Sequence, residues 1–241
     1  HKGMLMAVLA DGMGGHSGGA MAAEQVVMKA RDNFEAYAPA VETPTDLLRS
    51  VVEEAHVVIK LTRFTTEQDP HSTACVLLMQ SGRVDWAHCG DSRIYHFRHD
   101  RRVAISQDHS LVGELIRQGR LDEEGAKTHP QRNLLLHCLG AQKEPMIDYG
   151  GATDLTDGDS FLICSDGLWA YFSDEEIGGV LSVFSAREAA ETLIKRARDR
   201  GRPTGDNVSL ILIKLIDVEA REKAERERLE SARRRLGSMK D

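Results

Sequence analysis

Hydrophobic positions fall into short runs and helical stripes along this chain. Residues 4–10 (MLMAVLA) form an apolar run that stops at Asp11, which predicts a buried strand. The segment from Asp11 to Gly19 holds five glycines in nine positions and predicts a loop. Over 20–36 the residues Ala23, Val26, Val27, Ala30 and Phe34 take helical spacing. Pro39 and Pro44 break the chain, and Thr45 or Asp46 is expected to cap a second helix. That helix turns Leu47, Leu48, Val51, Val52, Ala55, Val58 and Ile59 inward.

Further along, residues 73–79, 84–89 and 93–97 predict closely spaced strands, separated by Ser81-Gly82 and by Gly90-Asp91-Ser92. This series reads as an antiparallel meander. Residues 111–118 predict a helix, and the polar stretch 119–133 a surface flap. Asp157-Gly158 marks a turn, 160–164 a buried strand that Ser165-Asp166-Gly167 ends, and 174–181 and 186–199 two helices. Residues 207–215 predict a long apolar strand after Gly205-Asp206. From 217 to 241 Glu, Arg and Lys dominate, with the i,i+4 pairs Glu219/Lys223, Glu222/Arg226 and Glu230/Arg234. With Val218, Leu229 and Leu236 as sparse apolar positions, this reads as a solvated helical tail. Strands come in runs and helices group early and late, without regular alternation. The fold class expected is α+β, two antiparallel sheets with helices outside.

The 241 residues suit one compact layered domain, and no apolar run reaches the roughly 20 residues of a membrane span. A net charge of −7 makes nucleic acid a poor partner, so binding an anion would need metal ions to reverse the local charge. The four cysteines, Cys75, Cys89, Cys138 and Cys164, lack a CxxC pair and read as reduced thiols, mostly buried, in a cytoplasmic protein.

Asp11, Asp166 and Asp206 each stand at the edge of an apolar strand, next to a glycine. An aspartate there can point out of the core, and the glycine lets backbone approach closely. Asp91 lies in the turn between two strands. Carboxylates with nearby carbonyl oxygens suit hard cations such as Mg²⁺ and Mn²⁺. The glycine loop has neither GxxxxGK[ST] nor GxGxxG, so it does not fit a nucleotide-binding fingerprint. A reading in which Asp11 and the Gly12 carbonyl face a metal fits better.

VLADGMGGHSGG, CGDSRIY, ICSDGLW and TGDNVSLIL occur in this order, with QDHSLVGELIRQG and THPQRNLLLHCLG between them. Together these blocks resemble the bacterial form of the metal-dependent protein serine/threonine phosphatases of type 2C, from about Met4 to Leu215. The resemblance implies a four-layer α/β/β/α sandwich with two antiparallel sheets flanked by helices. Residues 1–216 would be the phosphatase domain and 217–241 the charged tail. Asp11 would bridge two ions, Mn²⁺ or Mg²⁺, and the Gly12 carbonyl would bind one of them. Asp166 and Asp206 would bind the other, and Asp91 would help hold a weaker third ion. The catalytic set Asp11, Asp166 and Asp206 would act through metal-activated water, without a covalent intermediate. No CxxxxxR loop follows Cys164, so a thiol nucleophile is not expected. The flap would be residues 115–133. Phosphorylated proteins would be the substrates, among them a serine/threonine kinase or its targets, acted on by a monomer.

Three features depart from the family pattern. An upstream strand with an Arg and an Asn-Glu-Asp run has no counterpart in residues 1–4 and is expected to lie further upstream. Met13 stands where relatives from eukaryotes often carry a His proposed as general acid, so that role does not transfer. Ala170 replaces a frequent acidic residue, which would weaken outer contacts to the ions. His16 and His129 are the histidines that the resemblance sets beside the site, and neither is assigned to catalysis. The alternative function is a phosphoprotein-binding regulator of the same fold with little or no turnover, and the retained aspartates argue against it.

Overall fold

A computed structural model describes residues 3–14, 16–65, 68–202 and 205–217, so the tail from 218 lies outside the described residues. In chain order the elements are β1 (Leu5–Leu9), β2 (Gly12–Met13), α1 (His16–Ala36), α2 (Pro44–Thr62), β3 (His71–Ser72), β4 (Ala74–Gln80) and β5 (Arg83–Cys89). Then come β6 (Arg93–Arg98), β7 (Arg101–Ile105), α3 (Leu111–Arg117), α4 (Glu123–Thr128), β8 (Asp148–Ala152) and β9 (Asp159–Cys164). The last are α5 (Asp166–Trp169), α6 (Asp174–Val183), α7 (Ala186–Gly201) and β10 (Leu210–Lys214).

Two four-stranded sheets form, ordered β1-β4-β5-β8 and β10-β9-β6-β7, and every pairing in them is antiparallel. The side-chain period of two then sorts residues into layers. On β4, Cys75 and Leu77 face the second sheet, meeting Ile94, Phe161 and Ile163. Their neighbours Val76 and Leu78 face Val26 of α1 and Val51, Val52 and Ile59 of α2. On β9, Leu162 and Cys164 face Ile177, Val180 and Leu181 of α6 and Leu193 of α7. The result is the expected α/β/β/α sandwich. Each fully buried Leu, Ile or Phe in these layers contributes about 1.5–3 kcal/mol.

Element ends differ from the sequence reading for local reasons. The second helix is capped by Thr43, one step before Pro44, instead of by Thr45 or Asp46. Proline lacks the N–H that a first helical turn leaves unpaired, and Thr43 and Asp46 close a reciprocal capping box. The last strand is shorter than predicted, leaving 205–209 as a loop. Besides the two-residue strands β2 and β3, two strands escaped notice. β7 reads Arg-Arg-Val-Ala-Ile and is a charged edge strand. β8 reads Asp-Tyr-Gly-Gly-Ala, and a Cβ at Gly150 would run into the Trp86 ring at 2.5 Å. The predicted flap also holds a short helix, α4, whose N-cap Asp122 accepts a hydrogen bond from the Gly125 N–H at 2.7 Å.

One buried charge ties the second sheet together. Asp159 is fully buried and accepts from Arg98 Nε at 2.8 Å and from the Thr156 N–H at 2.7 Å, with His96 Nε2 at 3.1 Å. Burial by itself raises this carboxyl, but these donors override it and hold it below its ordinary value. Asp159→Ala is therefore expected to cost about 3 kcal/mol, read as a lower urea midpoint with unchanged slope. Because the folded-state value is depressed, this stabilisation is complete above the unfolded value near 3.8 and fades as pH falls through the folded one.

Candidate functional site

Register brings the four aspartates to one edge of the sandwich. In the second sheet, Cys164 is paired with both Arg93 and Leu210. Asp91 precedes Arg93, Asp166 follows Cys164, and Asp206 lies in the loop leading to Leu210. In the first sheet, Leu9 pairs Cys75, and Asp11 follows two residues later.

The backbone around each is pinned. The Asp11 N–H donates to Thr73 Oγ1 at 2.9 Å, and the Thr73 N–H donates to the Asp11 carbonyl at 2.9 Å. Thr73 Oγ1 also lies 2.8 Å from Ser92 Oγ, which links the first strand to the Asp91 turn. Asp166 opens α5 after the N-cap Ser165. The Ser209 N–H donates to Ser165 Oγ at 3.2 Å and the Ser165 N–H to the Ser209 carbonyl at 3.1 Å. Those bonds stitch the Asp206 loop to the start of α5. The Asp91 carbonyl accepts from Trp169 Nε1 at 2.8 Å.

The glycines beside the aspartates allow close backbone approach. A Cβ on Gly12 would overlap the Gly19 carbonyl, one on Gly167 the Asn207 carbonyl, and one on Gly90 would lie 2.7 Å from Thr73 Cγ2. Gly19 in turn belongs to the first turns of α1, so half of the predicted glycine loop is helix.

Charge gathers here. Burial pushes the Asp11 carboxyl up to about 6, with Asp166 and Asp206 adding repulsion. Burial pushes Asp91 up to about 7, with Asp166, Asp108 and Asp11 adding to it. Asp166 is raised by burial and then by Asp206. The structure thus brings together Asp11, Asp91, Asp166 and Asp206, with Gly12 adjoining Asp11. Three half-buried carboxylates beside the exposed Asp206, with oxygen donors only, fit hard divalent cations, which would relieve the mutual repulsion.

Sequence reasoning missed two supporting residues. Asp108 takes Arg93 in a bidentate pair at 2.9 and 2.8 Å, and the Arg93 guanidinium lies 3.5 Å over the Trp169 ring. Both sit inside motif blocks, QDHS and GDSR, and an Asp and an Arg 15 residues apart carry no pairing signal in sequence. His129 caps the end of α4 and accepts from the Gln131 N–H at 3.1 Å, while His16 opens α1. Met13 pairs with His71 across the small β2–β3 ladder.

Comparison with known proteins identifies the family. The family model described as Protein phosphatase 2C matches residues 1–205. The chain is 33% identical over 227 residues to the protein phosphatase PhpP of Streptococcus pneumoniae, covering 90% of this chain and 89% of that one. It superposes on the S. agalactiae serine/threonine phosphatase with a TM-score of 0.79 at 29% identity, covering 90% and 89% of the two chains. A structure of the PstP catalytic domain in complex with two manganese ions matches with a TM-score of 0.73 at 29% identity, covering 88% of each chain. Four-layer fold and relatives coincide, and the chain belongs to the protein phosphatase 2C family, as a serine/threonine protein phosphatase.

Proposed function

We propose that Asp11, the Gly12 carbonyl, Asp166 and Asp206 hold two divalent cations, Mn²⁺ or Mg²⁺, and that Asp91 helps hold a weaker third. With them the chain removes phosphate from phosphoserine and phosphothreonine in proteins. The observation that carries this reading is the convergence of Asp11, Asp91, Asp166 and Asp206 from separate loops at one edge of the sandwich, where burial and then neighbouring carboxylates raise Asp11, Asp91 and Asp166. Bound divalent cations supply Lewis acidity, making water more acidic and offsetting the charge of a phosphate ester.

The chain's own residues do the rest. Asp11, Asp166 and Asp206 present fixed negative charge at one edge of a rigid sandwich, so little reorganisation is needed when the site is loaded. Asp108 neutralises Arg93 and keeps that cation out of the carboxylate cluster. The flap with α3 and α4 is anchored beside the Asp91 turn, through the Leu111 N–H to the Leu134 carbonyl at 2.9 Å and the Leu136 N–H to the His109 carbonyl at 2.8 Å. It borders the site and contacts the substrate polypeptide.

The substrates include a serine/threonine kinase or its targets, and the protein acts as a cytoplasmic monomer in signalling, without nucleic acid or membrane. Among the described residues no helix is long and apolar enough to cross a membrane. Residues 1–216 form the catalytic unit, with 217–241 appended to it. Steady-state hydrolysis of matched phosphothreonine, phosphoserine and phosphotyrosine peptides in Mn²⁺ tests the substrate class. The first two are expected to turn over at least about tenfold faster than the third, a difference of about 1.4 kcal/mol. A preference for phosphotyrosine would overturn the reading.

A further inference from the structure

Two buried histidines bracket Asp91 in the β5–β6 turn. On one side, His109 grips Gly90 twice. Its backbone N–H donates to the Gly90 carbonyl at 2.8 Å, and its Nδ1 accepts from the Gly90 N–H at 3.3 Å. On the other side, His88 Nε2–H donates to the Ser92 carbonyl at 2.7 Å. The two rings touch, with centroids 4.9 Å apart, and the side chains are 0% and 1% exposed at residue level. Gly90 itself has φ +107°, and Thr73 leaves no room for a side chain there, so this turn requires glycine and is held by the bonds around it.

Asp148 on β8 completes the arrangement. Its Oδ2 lies 3.1 Å from His109 Nε2. A neutral imidazole carries one N–H. With that proton at Nε2 facing Asp148, Nδ1 keeps the lone pair that the Gly90 N–H needs. Remove the carboxylate, and Nε2–H loses its acceptor, so only the Gly90 N–H still biases the tautomer and ring orientation. His88 has its proton fixed by the Ser92 carbonyl, and its Nδ1 is buried without a hydrogen-bond partner among the described residues.

The geometry points to an Asp148–His109 dyad, assisted by His88, as the positioning device of Asp91. It sets the backbone on both sides of that carboxylate and so the strength with which the weaker cation is held. This rests on the reading of Asp91 as a ligand of that ion. The same three side chains bring one donor atom each within 4.8 Å of one another. An ion among them would need the lone pair of His109 Nε2, forcing the proton onto Nδ1 against Gly90, so the hydrogen-bonded clamp is the better account.

Calorimetric titration of the full chain with Mn²⁺ tests it, using wild type, Asp91→Ala, Asp148→Ala and Asp148→Asn. Asn keeps an oxygen acceptor for Nε2–H and Ala does not. Asp148 lies at the end of an edge strand with its side chain 38% exposed, so both variants are expected to fold. Asp148→Ala is expected to weaken the weaker Mn²⁺ site about 10-fold, the usual loss when a ligand's support is removed. Its activating Mn²⁺ concentration should rise in step, with kcat at saturating Mn²⁺ unchanged. Asp148→Asn should stay within about twofold of wild type. Nitrogen NMR of the His109 ring should show Nδ1 unprotonated in wild type and Asp148→Asn, and a mixture of the two tautomers in Asp148→Ala. If Asp91→Ala weakens the site but Asp148→Ala does not, the clamp is overturned while the Asp91 assignment stands. If Asp91→Ala changes nothing, the assignment itself fails, and the clamp with it. Equal loss in Asp148→Asn and Asp148→Ala would show that charge, not orientation, matters. Binding of one extra Zn²⁺ that Asp148→Ala abolishes would replace the clamp with a metal site.

Discussion

Chelated protein is expected to lose hydrolysis of a phenyl phosphate ester and to regain it with Mn²⁺ or Mg²⁺. Asp11→Asn, Asp166→Asn and Asp206→Asn should each lower kcat about 10³-fold or more, since a cation's charge stabilisation is worth several kcal/mol and each 1.36 kcal/mol is tenfold. Asp91→Ala should be milder, because it touches the weaker ion. Folding offers an independent check on the cause. Without cations, Asp11, Asp91 and Asp166 repel one another across a half-buried space, and their carboxyls are raised for that reason as well as by burial. Neutralising one carboxylate relieves that repulsion. Asp166→Asn should therefore melt no lower than wild type in chelator, and should gain less than wild type when Mn²⁺ is added. Inactive protein with a collapsed melting temperature in chelator would point to misfolding instead. Full activity in excess chelator would sink the divalent-cation reading outright.

The aspartates were legible in the sequence because each sits where a strongly apolar strand stops. Asp11 follows Leu9, Asp166 follows Cys164, and Asp206 precedes Leu210, so hydrophobic pattern alone put them at sheet edges. That they share one edge is a matter of register, Cys164 against both Arg93 and Leu210, and single-strand patterns carry no register information. Motif order supplied it through the family resemblance. The strands that escaped notice lack an apolar pattern for physical reasons. β7 is an edge strand that opens on two exposed arginines and has only three apolar residues, and β8 is glycine-rich because Trp86 lies over Gly150. Supporting residues were harder still. Nothing in Asp108 or Asp148 marks them as the partners of Arg93 and His109, since pairs 15 and 39 residues apart meet only after the sheets form.

Gly167→Ala is expected to damage turnover more than it damages stability. Gly167 is buried in the first turn of α5, directly after Asp166. A Cβ there would overlap the Asn207 carbonyl and lie 3.5 Å from the Asp206 carbonyl carbon. Backbone on both sides is held, by Ser165 to Ser209 and by Ser165 Oγ to the Asn207 carbonyl at 3.4 Å, so neither segment can yield alone. The added methyl must push the 206–207 segment away from α5 and separate Asp206 from Asp166. Overpacking of this kind costs about 1–3 kcal/mol of stability. A displacement near 1 Å at a catalytic constellation costs about 100-fold in rate, so activity should fall further than stability explains. Gly179→Ala is the matched control. Gly179 lies exposed in α6 with nothing within 4 Å of the added Cβ, so the change should raise stability by about 0.5–1 kcal/mol and leave kcat alone. Urea unfolding and Mn²⁺-dependent kinetics on both variants separate the effects. Wild-type turnover and Mn²⁺ affinity in Gly167→Ala would show that the close approach of α5 to the Asp206 loop is not what sets the site.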